Sequence, residues 1–382
     1  MTEATVGATY SWGVFTETLR RIAGLTQAQV QLPYTCFQVT FAISVLLAGA
    51  TIQRWNLRAS ALAGTILFGL GWAAAGFFGA RYPALVLAVG LVNGIGAGLA
   101  YVVPIEMCVR WFPERRGLAT GIAIAGYGGG AALIAQAAGA LIGDFSYTPY
   151  EVFRLMGAVF LGVGAGCALL LKTPPEREAR AEEPRPIRGV LGEERFWLLC
   201  AGFLAGLCAG LAVVPNLKQI LGRSLPDIER VGTMAVTIFA ISNAAGRPAW
   251  GFAHDRLGGK RVILANLLIQ GAVMVLAPRV VAAPPGLYIF AALVGFNYGG
   301  MLAIYPAETA ANWGAARLSR IYSIVFSWNL VAAAVPYVCG GTYDALGTFA
   351  PAFNAVGALI LAAAAAIFLR YPAEGAEGAK RD

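Results

Sequence analysis

The sequence predicts an all-α membrane protein of twelve transmembrane helices arranged as two six-helix repeats. Three observations carry that expectation. Hydrophobic residues make up 58% of the chain and charged ones only 13%, against roughly 25% charged in soluble domains. Apolar runs of the length needed to cross a bilayer, about 20 residues, recur twelve times between charged or turn-forming residues. A single offset of 202 positions relates the second to fifth runs of one half to those of the other.

The first run, near 2–22, carries Tyr10-Ser11-Trp12-Gly13-Val14-Phe15, small and aromatic residues mixed in a way that suits close helix packing beside a cavity. Only a short stretch precedes Glu17, so the cytoplasmic half of this span is short, as expected of a start placed late or a trimmed chain. With no basic opening and no A-x-A-like site, it does not read as a signal peptide. Runs near 31–53 and 59–80 flank a short basic loop containing Arg54 and Arg58, and those near 83–107, 116–142 and 150–171 complete the first half, residues 1–171. Residues 172–194 form a cytoplasmic linker: charges of both signs with Pro174, Pro175, Pro184 and Pro186 make a solvated tether. The second half, 195–382, holds runs near 195–220, 227–254, 261–282, 285–310, 318–343 and 349–370, then a short tail.

The offset pairs Leu91 with Leu293, Gly98 with Gly300, Pro104 with Pro306, Glu106 with Glu308, Trp111 with Trp313 and Arg115 with Arg317. One ungapped register over so long a stretch indicates duplication, and parallel repeats of this kind place a binding site at their interface near the midplane. Lys and Arg in the short loops set orientation. With both termini in the cytoplasm, 19 of the 28 basic residues lie inside and eight outside. The net charge of +8 is therefore topological, and basic residues scattered over many loops do not make a nucleic-acid surface. The six cysteines lie in or at the ends of apolar runs without C-x-x-C spacing, which suggests neither a disulfide framework nor a metal site.

The one remaining basic residue is Arg247, inside the eighth run. Asp255, the first charge past it, is eight positions on, so at 1.5 Å per residue Arg247 lies roughly 12 Å inside the edge of a core about 30 Å thick. A guanidinium there costs from about 2.5 to well over 10 kcal/mol, so it is expected to face a cavity and to mark an anion path. The bland alternative is snorkelling or pairing with a buried acid. No Asp or Glu lies between Glu229 and Asp255, and the other spans of this half are free of acids until Glu308. A guanidinium fork matches a carboxylate in two parallel hydrogen bonds. Asn243, four residues earlier, shares its helix face, and Pro248 is expected to kink the helix locally.

Tyr101 and Tyr298 lie in the fourth and tenth runs, while Tyr127 and Asn329 hold equivalent repeat positions in the fifth and eleventh. With Tyr10 of the first run they join Arg247 and Asn243 as candidate substrate-binding residues. Aromatic residues in membrane helices also serve as packing or interface anchors, and it is the glycines beside Tyr127 and Tyr298 that leave room for a ligand. Asp255, Arg256, Lys260 and Arg261, with Arg54 in the equivalent first-half loop, are assigned to gating, because charge pairs across the inner faces of two halves can hold one conformation shut. Glu106 and Glu308 are expected to pair with loop arginines in the same role. His254, the sole histidine, reads as a boundary residue rather than a proton relay.

Gly251-x-x-x-Asp255-Arg256-x-Gly258-x-Lys260-Arg261, its degenerate copy at 49–58 and the six-plus-six repeat resemble the major facilitator superfamily. Tyr10 to Phe15 and Asn243-x-x-x-Arg247 resemble, more narrowly, its oxalate/formate antiporter and monocarboxylate transporter branch. That resemblance implies tyrosine hydroxyls lining a small anion cavity. It also implies a second cation in the eleventh helix of oxalate carriers, where this chain has Asn329, and an aspartate in animal-type monocarboxylate transporters, where it has Asn243. A dianion facing one buried cation stays half neutralised, so a monocarboxylate fits better.

The expected function is a secondary transporter in a cell inner membrane or plasma membrane, moving a small organic anion such as lactate, pyruvate, formate or acetate by alternating access. An oxalate/formate-type antiporter and a non-transporting membrane sensor are the alternatives. Exchange of anions is favoured, since an empty carrier must move a buried cation without its anion. Symport with H+ stays open, the proton riding on the substrate or on an acid not identified. No cofactor, catalytic residue or metal ligand is expected: H-E-x-x-H, Walker and G-x-S-x-G signatures are missing from the sequence.

Overall fold

The computed structural model describes residues 2–51, 56–112, 116–172, 187–220, 228–281, 283–314 and 317–372, and the regular structure in them is all helical. Ten helices are long and apolar enough to cross a membrane, from Gln27–Ala48 to Ala350–Arg370. Two further helical stretches occupy expected spans without joining those ten. Residues 2–23 are divided into Thr2–Val6, a 3-10 turn Gly7–Ser11, and Trp12–Ala23. The helix Ile228–Leu257 carries Arg230, Arg247, His254, Asp255 and Arg256, which lower its hydropathy without interrupting it. It runs through Pro248 as one helix.

Local chemistry explains several boundaries. Thr148 and Glu151 form a reciprocal capping box with Pro149 in the first turn of Pro149–Val159, satisfying amide groups that would otherwise point into nothing. Asn56 accepts from the Arg58 amide at the start of Leu57–Phe78. The helices ending at Ala23 and Leu346 stop on Gly24 and Gly347, both in the left-handed conformation that closes a helix at little cost for glycine.

The packing follows one scheme in both halves of the chain. Leu57–Phe78 packs on Asn93–Trp111 and Pro149–Val159, while Gly259–Val280 packs on Pro284–Trp313 and Ala350–Arg370. Across the halves, Arg116–Gly143 lies along Ile228–Leu257, and Gln27–Thr51 lies along Leu318–Ser327 and Val335–Leu346. These contacts are close because backbone meets backbone. A Cβ on Gly299 would sit 2.1 Å from the Asn243 carbonyl oxygen, and one on Gly7 would sit 1.8 Å from that of Tyr127. The Arg247 helix is thereby clasped between 116–143 and 284–313.

A polar layer joins the halves at the end where the first run turns into the second. The Gln27 side chain donates to Asn216 Oδ1 at 2.9 Å, Gln31 to the Pro215 carbonyl at 3.0 Å, and Gln219 to Thr16 Oγ1 at 2.8 Å. Lys218 Nζ donates to the Val14 carbonyl at 2.9 Å. The Asp344 carboxylate accepts the Gln27 and Ala28 amides at 3.2 and 3.0 Å, where the open amides of a helix start favour an anion.

Candidate functional site

Between the halves lies a small cavity, with room for about one water molecule. Tyr10, Gln38, Phe41, Tyr101 and Tyr127 line it from the first half, and Leu207, Arg247, Tyr298, Leu302, Phe326 and Asn329 from the second. Two of these come from interrupted helices. Tyr10 sits in the 3-10 turn Gly7–Ser11, which Thr9 Oγ1 and Ser11 Oγ tighten by donating to the Val6 and Ala8 carbonyls. Asn329 opens the four-residue helix Asn329–Ala332, between Leu318–Ser327 and Val335–Leu346.

Arg247 is fully buried. Its Nε donates to Asn243 Oδ1 at 3.1 Å, and its Nη1 donates to the Ile124 carbonyl, on the opposite half, at 2.6 Å. The guanidinium carbon lies 5.2 Å from the Tyr127 ring centroid, within the range of a cation–π contact. Nη2 is buried with no partner, and among the described residues no carboxylate comes within 4.0 Å of the group. A desolvated cation held along one edge, with donors left over on another, is a receptor for an anion.

The other walls are aromatic and amide. Tyr10 meets Tyr127 at 4.6 Å between ring centroids and Tyr298 at 5.8 Å. The Tyr127 hydroxyl shares a 2.9 Å hydrogen bond with Thr9 Oγ1, whereas the Tyr101 hydroxyl is buried without a partner. Phe41 and Phe326 close the cavity beside Tyr101, each 5.4 Å from its ring. Asn329 Nδ2 donates to Gln38 Oε1 at 3.1 Å, bridging the halves, and its Oδ1 is buried and unpartnered.

Six of the seven expected substrate residues thus line one cavity, and Asn243 does not. It stands behind Arg247, orienting Nε and donating to the Gly295 carbonyl at 3.4 Å. Sequence reasoning missed Gln38 and Glu3. Gln38 is a polar residue inside an apolar run, and that is the signal that could have found it. Glu3 is 3% exposed, and neither of its carboxylate oxygens has a hydrogen-bond partner. The rule that singled out Arg247, an ionisable residue within a span, applies to it equally.

The sequence profile described as Major Facilitator Superfamily matches residues 4–226. This chain belongs to the major facilitator superfamily. It is a multi-pass membrane transporter and not an enzyme. Among relatives of this superfamily member, the oxalate:formate antiporter of Oxalobacter formigenes is 28% identical over 86% of this chain and 78% of its own length. The uncharacterized MFS-type transporter YhjX of Escherichia coli is 27% identical over 85% and 82%, and monocarboxylate transporter 12 of Mus musculus 25% identical over 78% and 69%. A crystal structure of the E. coli fucose:proton symporter FucP superposes with a TM-score of 0.65, covering 97% of this chain and 98% of that one at 14% identity, a likeness of fold alone.

The loop motif of this superfamily member lies at the other end of the bundle from the polar layer. Asp255 makes a contact across the halves, its Oδ2 accepting the Leu118 amide at 3.2 Å. Arg256 stacks over Phe252 of its own helix at 5.0 Å, and Lys260 Nζ donates to the Tyr371 carbonyl at 2.5 Å within the second half. Arg261 is exposed, Glu106 is buried, and Arg54 lies outside the described residues. Among the described residues, Glu308 pairs with no loop arginine. Its Oε2 meets His254 Nε2 at 2.9 Å, and its Oε1 accepts the Tyr371 hydroxyl at 2.6 Å and Asn312 Nδ2 at 2.9 Å. A buried carboxylate takes partners that share its depth, and the loop arginines do not. His254 is accordingly a partner within this network and not merely a boundary residue.

Proposed function

We propose that this chain is a secondary transporter of a small organic monocarboxylate, of the size of formate, acetate, lactate or pyruvate, working by alternating access. Its helices form twelve spans in two six-helix repeats, with both termini in the cytoplasm. The parallel packing of 57–78 and 259–280 on their neighbours and the 202-residue offset support that arrangement. The observation that carries the functional reading is the buried Arg247 guanidinium with Nη2 unpartnered at a cavity between the halves. Arg247 receives the carboxylate on its Nη1/Nη2 edge, Nε being held by Asn243. Tyr10, Tyr101, Tyr127 and Tyr298 supply hydroxyls and ring faces, and Gln38 with Asn329 closes the far side. The cargo named for the oxalate:formate antiporter and for monocarboxylate transporter 12 belongs to the same class.

A single cation in the cavity favours a monoanion over oxalate, for the desolvation reason given above. The test is uptake of radiolabelled formate, acetate, lactate, pyruvate and oxalate into liposomes holding the purified protein, with Arg247→Ala and Arg247→Lys alongside. A monocarboxylate is expected to enter, with uptake abolished in Arg247→Ala and strongly reduced in Arg247→Lys, since an ammonium lacks the planar fork. Uptake that survives Arg247→Ala removes the residue from the site.

A further inference from the structure

The cavity has two poles of different chemistry. Arg247 makes one, and Asn329 and Tyr101 make the other, with polar atoms that the fold leaves unused. Asn329 lines the cavity and is 1% exposed. Its Nδ2 donates to the Gln38 main-chain carbonyl at 3.3 Å and to Gln38 Oε1 at 3.1 Å. A main-chain carbonyl only accepts, so it fixes which end of the Asn329 amide faces Gln38. Both Nδ2 protons are thereby used, and Oδ1 is left as a buried acceptor with no donor. Tyr101, on Asn93–Trp111, lines the same cavity, and its hydroxyl is likewise buried without a hydrogen-bond partner. Phe326, three residues before Asn329, packs on the Tyr101 ring at 5.4 Å and joins the two positions into one wall. The Tyr127 ring neighbours both poles, 6.2 Å from the Tyr101 ring and 5.2 Å from the guanidinium carbon.

A buried acceptor without a donor is a cost that a ligand can remove. With its carboxylate on Arg247, the ligand presents its other end to Asn329 Oδ1, which only accepts, and to the Tyr101 hydroxyl, which donates or accepts by rotation. A hydroxyl suits both, donating its proton to Oδ1 and accepting the one from Tyr101. A keto oxygen accepts from Tyr101 but turns its lone pairs towards those of Oδ1. A methyl group leaves both protein atoms unpaired. An ammonium would donate, but it would share the cavity with the guanidinium, and among the described residues no acid lines that cavity to offset it. A site built around a substrate hydroxyl rejects the analogue lacking it more strongly than an apolar pocket rejects a change in size.

We propose that Asn329 and Tyr101 read a hydroxyl on the cargo, so that short 2-hydroxy monocarboxylates, glycolate and lactate, are preferred over their 2-oxo and unsubstituted counterparts, an inference that rests on the reading of Arg247 as the carboxylate site. Asn329 is the specificity-determining residue, because its Oδ1 accepts only. Gln38 is the positioning residue, because its two oxygens hold the Asn329 amide the right way round. The cavity as closed has room for about one water molecule. The halves therefore part to admit cargo, and glycolate, the smallest member of the class, asks for the least parting.

The test is titration calorimetry on the purified full chain with lactate, pyruvate and propionate, which share one carbon skeleton, and with glycolate and acetate. Wild type is expected to bind lactate at least about tenfold more tightly than pyruvate or propionate, and glycolate more tightly than acetate by a similar factor. Asn329→Leu removes the acceptor and is expected to close the lactate-to-propionate ratio to within about threefold. Asn329→Thr, whose hydroxyl donates as well as accepts, is expected to bring pyruvate level with lactate. Tyr101→Phe is expected to weaken lactate and pyruvate alike, since both accept from that hydroxyl. If a variant cannot be purified, the wild-type series decides alone. Pyruvate or propionate bound by wild type as tightly as lactate, or the wild-type ratio preserved in Asn329→Leu, overturns the hydroxyl-reading pole and leaves Arg247 in its role. No binding of any of these acids, or binding that Arg247→Ala retains, overturns the anion-site reading itself.

Discussion

Arg247 is useful because its hydrogen-bonding capacity is divided. Nε and one Nη1 proton are committed to Asn243 and the Ile124 carbonyl, which fixes the plane of the fork and leaves the outer edge for a ligand. A charged group held by two such bonds gains about 1.5–3 kcal/mol from each, enough to keep it from wandering. Asn243 is thus a positioning residue, and its place four residues earlier on the same face made the pairing visible in the sequence while leaving its role ambiguous. In the proposed function, Asn329 sets selectivity by lacking a charge. Replacing it with Lys is expected to raise the uptake of oxalate relative to pyruvate and to lower the thermal stability of the anion-free protein, since two cations would then face each other in one cavity. Oxalate at a hundredfold excess over its Kd should restore about 2.7 kcal/mol of stability by mass action. An unchanged oxalate-to-pyruvate ratio would sink the single-cation argument.

At the scale of elements, the site exists because three helices meet without side chains between their backbones. Gly299 lets 284–313 lie against the Asn243 carbonyl, and Gly7 does the same for the first span against Tyr127. These glycines belong to the apolar runs on which the span prediction rested, yet hydropathy says nothing of which neighbour each faces. Gly299→Val is expected to part the two helices, costing about 1–3 kcal/mol as overpacking does, and so to lower the melting temperature measured by intrinsic fluorescence. Gly129→Ala, where a Cβ meets nothing within 4 Å, serves as the matched control. Equal melting temperatures for the two variants would show that the close approach is dispensable. The breaks at Gly7–Ser11 and around Asn329 place polar groups on the cavity, where non-helical backbone is tolerated because it is enclosed by protein.

For the whole molecule, the polar layer and the loop motif link the halves at opposite ends of the bundle. Sequence analysis placed the gate at the charged loops, because charges stand out there. The layer of Gln27, Gln31, Asn216, Gln219 and Asp344 does not stand out in the sequence, since four of its members are ordinary amides scattered over distant runs. Asp344→Ala removes the acceptor at the start of the 27–51 helix, a change worth about 1–2 kcal/mol. The population open at that end is expected to rise, read as faster thiol labelling of a cysteine placed at Gln31 in a background free of reactive native cysteines. Labelling that stays at the unsubstituted rate would remove Asp344 from the closure.

Sequence by itself determined the all-helical membrane class, the family and the singular position of Arg247. Each of these follows from local quantities: hydropathy over a window, a motif at fixed spacing, and a charge too costly to bury without purpose. Tertiary structure alone decided that Asn243 stands behind the guanidinium, that Gln38 meets Asn329, and that His254 takes Glu308. Those are meetings of residues up to hundreds of positions apart, and they depend on how helices rotate and approach. A one-dimensional pattern does not encode that geometry, because the same apolar periodicity is satisfied by several rotations of a helix in lipid.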